Sequence, residues 1–94
     1  TKTAAYTIGA TDTAVVFNGS ASITTTLPSA ASFPGRVLLF SNIANFTVIS
    51  ASSNVIPAGG GAAGTALLAA TGGSGNKWAV LVSNGTSWQI MAAN

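Results

Sequence analysis

The sequence predicts an all-β domain, a small antiparallel β-sandwich or barrel-like fold of roughly seven to nine short strands, with residues 1–94 forming a single domain. Three observations carry that prediction. Short apolar runs alternate with turn signals every ~8–12 residues. Two Asn-Gly pairs, Asn18-Gly19 and Asn84-Gly85, each stand between apolar runs, the strongest short-range hairpin signal. No segment reads as a convincing helix; the best candidate, Thr65 to Ala70, is too short to hold alone.

Taken in order, Thr3 to Ala10 reads as a first strand, with Ala4, Tyr6 and Ile8 alternating with other residues. Ala10 to Thr13 is a turn. Val15-Val16-Phe17 leads through Asn18-Gly19 into Ile23-Thr24-Thr25-Thr26-Leu27, which reads as a hairpin. Val15, Phe17, Ile23, Thr25 and Leu27 share odd parity, so an odd-length loop would place them on one face, with Val15 opposite Ile23. Pro28 ends the strand, because proline cannot donate to a ladder. Ser29 to Pro34 is a loop or one helical turn. Val37 to Phe40 is apolar throughout and reads as a strand buried on both faces, and Phe46 to Ser50 reads as nearly so. Val55-Ile56 is a short strand, Ala58 to Gly64 a glycine-rich loop, and Thr65 to Ala70 a strand.

The last hairpin carries both tryptophans. A three-residue loop, Ser83-Asn84-Gly85 with Gly85 at positive φ, would pair Val82 with Thr86, Val80 with Trp88 and Trp78 with Ile90. One core face would then hold Trp78, Val80, Val82, Trp88 and Ile90. Leu81 and Met91 fall on the opposite face, which also needs cover. No internal sequence repeat stands out.

Hydrophobic residues make up 48% of the chain but charged ones only 4%, against about 25% in an average domain. Lys2, Asp12, Arg36 and Lys77 are the four charges. Such a surface suits a tight oligomer that hides much of itself, or an extracellular or virion protein with a neutral polar surface. The net charge of +2 rests on scattered residues and forms no nucleic-acid footprint, which needs clustered Lys and Arg. No apolar run approaches the roughly 20 residues of a membrane helix, so membrane insertion is not expected. The chain begins at Thr1 without Met, which reads as a fragment of a longer chain or a processed product.

Catalysis finds little to work with. There is no His and no Cys, so the usual triads and zinc sites are missing. Asp12 is the one side-chain carboxylate, which rules out a two-carboxylate glycosidase within one chain. Catalytic, cofactor-binding and metal-binding residues are therefore expected to be none, and receptor-binding residues unknown. Gly59-Gly60-Gly61-Ala62-Ala63-Gly64 matches G-x-G-x-x-G by spacing, but no acid follows to bind a ribose; it reads as a turn. Asn18, Asn45 and Asn84 fit the N-glycosylation pattern, and turn chemistry explains the first and last. Trp78 and Trp88 could stack on sugars, but their strand positions read as core, and Tyr6 as core or interface. Arg36 reads as an anchor to carbonyls or to a neighbour's C-terminal carboxylate.

The order of motifs resembles a known group. Leu27-Pro28-Ser29, Pro34-Gly35-Arg36-Val37, Phe46-Thr47-Val48-Ile49, the glycine-rich loop and Ser83-Asn84-Gly85-Thr86-Ser87-Trp88 together resemble small β domains of bacteriophage tail fibres and tailspikes. The likeness covers nearly the whole chain. It implies a homotrimer at the distal end of a virion, acting outside the host at its surface. Its partners would be other tail proteins and a bacterial surface polysaccharide or protein receptor. The expected function is a non-enzymatic structural and host-receptor-binding module. The alternatives are a virion assembly or decoration protein, and a carbohydrate-binding module of a secreted enzyme. Apolar strands on both faces favour association by themselves; three copies rather than two is what the resemblance implies.

Overall fold

The structure is a computed structural model describing residues 1–94. It is mostly β, with nine strands and no α-helix. In chain order these are β1 (Tyr6–Thr7), β2 (Ala14–Phe17), β3 (Ile23–Thr26), β4 (Val37–Asn42), β5 (Val48–Ser50), β6 (Val55–Ile56), β7 (Ala66–Leu68), β8 (Lys77–Ser83) and β9 (Trp88–Ala93). A single 3-10 turn, Ala30–Ser32, precedes β4. The short strands expected at Val55-Ile56 and within Thr65 to Ala70 are both present.

One sheet runs β1-β3-β5-β7 and the other β2-β4-β8-β9-β6. The core lies between them, with Ile23, Val48 and Leu68 from the first meeting Phe17, Phe40, Leu81 and Trp88 from the second. From β1 to β8, successive strands alternate between the two sheets. Through β5, each return to a sheet arrives in the same direction, whereas β7 and β8 come back antiparallel to β5 and β4. β1, β3 and β5 are parallel neighbours, and so are β2 and β4. Parallel neighbours need a long crossover, and here a strand of the opposite sheet supplies it. The expectation of an antiparallel fold is thus corrected: both sheets are mixed. Val15 stands beside Phe40 and Ile23 beside Val48 at the same separation along the chain. That structural repeat leaves no trace in residue identity.

Alternation between sheets overturns the hairpin expected at Asn18-Gly19. β2 and β3 lie in different sheets, so Val15 does not pair with Ile23. Their shared parity still has a meaning, because Val15, Phe17, Ile23, Thr25 and Leu27 are all buried. They face one another across the core instead of along one sheet. Gly19 is not at positive φ. A Cβ there would stand 2.9 Å from the Ala21 carbonyl oxygen and 2.9 Å from Ile23 Cδ1. Close approach, not handedness, is what requires glycine.

The first strand is also shorter than expected from Thr3 to Ala10. Lys2 bridges Phe17 in the five-stranded sheet, and only Tyr6–Thr7 joins the other. The chain changes sheets between them.

The last hairpin closes through four residues, Asn84 to Ser87, with Asn84 N donating to Ser87 O at 3.1 Å. Ser83 pairs with Trp88, Val82 with Gln89 and Leu81 with Ile90. The three-residue loop and the Val80–Trp88 pairing are therefore corrected. Asn84 Oδ1 accepts from the amides of both Thr86 and Ser87 (2.9 and 2.8 Å), which stabilises the wider loop. Gly85 does sit at positive φ, +90°. Ala79, Leu81 and Ser83 now face inward with Trp88 and Ile90, while Trp78, Val80 and Val82 face outward. Size complementarity explains the choice. Phe40 stands opposite Ala79 and Trp88 opposite Ser83, large against small in each case, as dense packing requires.

β4 alternates rather than being buried on both sides: Leu38 and Phe40 are inside, while Val37 and Leu39 are 45% and 41% exposed. Phe46 and Ile49 are likewise exposed.

Candidate functional site

The outer face of the five-stranded sheet collects the displaced apolar side chains. Register places Ala14 beside Leu39 and Leu39 beside Val80. The next row runs Val16, Ser41, Trp78, and a third runs Val37, Val82, Gln89. Trp78 is 39% exposed, which corrects its expected place in the core; Trp88 is wholly buried, its Nε1 donating to Pro28 O at 2.8 Å. A groove of about 270 Å³ crosses β2, β4 and β8 between Val16, Leu39, Trp78 and Val80. Its lining contains no charged residue. At one end Asn76 Nδ2 donates to Ser41 Oγ at 3.2 Å, and eight of the ten lining residues are hydrophobic.

The outer face of the other sheet has a different character. Thr7 stands beside Thr26 and Thr24 beside Ile49, and Ser22 and Thr47 share a hydrogen bond of 3.0 Å. Hydroxyl groups dominate it. One side of the sandwich thus presents hydroxyls to water and the other presents hydrocarbon.

The remaining candidate residues are structural. Asp12 Oδ2 accepts from the Tyr6 hydroxyl at 2.6 Å and from Gly9 N at 2.8 Å. Those bonds, the Tyr6 one foremost, hold the Asp12 carboxyl below its usual 3.8, with Lys2 and Arg36 adding to the effect. The same bond pushes the Tyr6 phenol above 10.0, since ionising it would place two anions in contact. Lys2 Nζ lies 4.0 Å from the Tyr6 ring centroid. Arg36 Nη2 donates to Gly9 O and Asp12 O, and its guanidinium lies 4.8 Å from the Phe33 ring centroid. Arg36 thereby pins the turn between β1 and β2. The segment Gly59 to Gly64 opens no helix; Gly60 N donates to Pro57 O, and Gly64 bridges back to Val55. It lacks the helix N-terminus that would receive a phosphate. No group of three or more potential metal ligands occurs.

Sequence reasoning placed Val80 and Val82 inward and Leu81 outward, the reverse of what is found. The usable signal was the run Val37 to Phe40, whose neighbours in space had to include small inward residues. Comparison of the chain with protein families, with curated proteins and with solved structures finds no match to any of them.

Proposed function

We propose that the chain is a non-enzymatic structural and host-receptor-binding module of a bacteriophage tail fibre or tailspike, working as a homotrimer. The observation that carries this reading is the uncharged apolar face formed by Val16, Val37, Leu39, Trp78, Val80 and Val82. Removing such side chains fully from water gains roughly 1.5–3 kcal/mol each. Charges that would oppose contact through desolvation are missing from it. A structural part assembled through this face would leave its hydroxyl-rich opposite face outermost, available to a bacterial surface polysaccharide or protein. The order of sequence motifs, from Leu27-Pro28-Ser29 to Ser87-Trp88, supports the phage assignment. A non-enzymatic role is supported by Asp12, the one side-chain carboxylate, whose Oδ2 is committed to Tyr6 and Gly9.

Sedimentation equilibrium at micromolar concentration tests the assembly. A mass of three chains is expected. A mass of one removes the association argument, and a mass of two removes the phage-type trimer. Leu39→Lys, at an exposed position, should dissociate the assembly without unfolding the chain. Binding of the assembled domain to host cells, and its block of phage adsorption, tests the receptor role; failure of both would leave only a spacer or clamp.

A further inference from the structure

We propose that one repeated contact closes the trimer: Met91 of each copy seats in the β2–β4–β8 groove of the next. This deepens the trimeric reading above and rests on it. A three-fold ring cannot be built by one patch meeting itself; each contact joins two different patches. The outer face of the five-stranded sheet supplies both. The groove between Leu39, Val80 and Trp78 is the concave one. The convex one is Met91, the most exposed large apolar side chain in the molecule at 64%.

Met91 stands out for a specific backbone reason. Pairing steps from Leu81 opposite Ile90 to Val80 opposite Ala92, so Met91 is the extra residue of a β-bulge with no partner across the ladder. Bulges re-aim side chains at sheet surfaces. Ile90 and Trp88 point inward on the same strand, leaving Met91 directed away from the core. Its flexible thioether suits an irregular apolar recess. The chemistry of the groove selects the occupant. With no charge in its lining and eight of its ten lining residues hydrophobic, it offers a charged ligand no partner. An uncharged apolar side chain fits, and the sheet that forms the groove also presents one.

The chain has no cysteine, so introduced thiols are unambiguous. Met91→Cys and Leu39→Cys combined in one chain should give covalent trimers as the main species on mild oxidation. Within one copy β8 separates the two positions, about two strand spacings or ~9.6 Å, beyond the reach of a disulfide. Neither single variant should crosslink. A trimer by sedimentation whose double variant does not crosslink overturns this contact and leaves the trimeric reading standing. Crosslinking by Met91→Cys alone overturns it too, because Met91 would then meet itself. A single-chain mass overturns both readings. As a second measurement, Met91→Glu should reduce the assembly to single chains with an unchanged circular dichroism spectrum; an intact trimer would contradict the proposal.

Discussion

Trp88 stands opposite Ser83 in the last hairpin, the largest side chain of the core against one of the smallest. Ser83 also uses its hydroxyl, donating to Ala30 O at 2.7 Å and accepting from Gly85 N. Ser83→Leu should therefore overfill the site and break the tie to the 3-10 turn. Overpacking costs about 1–3 kcal/mol, and the loss of the Ser83 bond to Ala30 O adds to it. Urea denaturation of the variant should show a lowered midpoint with an unchanged slope.

Asn42 joins two loops, β4–β5 and β7–β8, from a buried position. Its Nδ2 donates to Phe46 O and Ala69 O, and its Oδ1 accepts from Ala44 N. Asn42→Leu leaves those three backbone groups without partners. Each unsatisfied group costs about 1–3 kcal/mol, so a loss of at least about 2 kcal/mol is expected in thermal or chemical unfolding. A variant as stable as the parent would show that water replaces the side chain.

Two glycines separate two mechanisms. Gly85→Val places a β-branched side chain at a φ of +90° and should cost more than about 1 kcal/mol. Gly19→Ala meets no φ restriction, yet its Cβ would press on the Ala21 backbone oxygen at 2.9 Å. It should destabilise as well, whereas Gly59→Ala, with open space around it, should not. Melting temperatures of the three variants check the order.

Acid should unfold the chain partly through Asp12. Its folded value lies below the ordinary 3.8, chiefly because Tyr6 donates to it. The folded state then binds fewer protons than the unfolded one in that range, so the contribution is present above 3.8 and lost as pH falls through the folded value. Tyr6 behaves in the opposite sense. Its raised value means that its contribution is present below 10.0 and lost as pH rises through the folded value. Stability measured by denaturant between pH 2 and 7 should drop at the acid end in the parent and flatten in Asp12→Asn. An equal drop in both would place the acid sensitivity elsewhere.

The all-β class, the places of the short strands β6 and β7, the positive φ of Gly85 and the inward set Val15, Phe17, Ile23, Thr25 and Leu27 are legible in the amino-acid order. All of these are local properties. Alternation along a strand reports which side chains turn inward, and a turn residue reports the backbone it must adopt. Which sheet each strand joins depends on the packing of the whole chain. Asn18-Gly19 looks like a hairpin turn, but the chain there crosses to the opposite sheet, so Val15 pairs with Phe40 and Ile23 with Val48. That packing also sets the register of the last hairpin. Counting large residues within β8 and β9 turned Trp78, Val80 and Val82 inward, but Leu38 and Phe40 of β4 had already filled that space. Small Ala79 and Ser83 had to go in, and the larger side chains went out to form the apolar face. The volume a core can accept is a property of all the strands around it, and no single segment carries it.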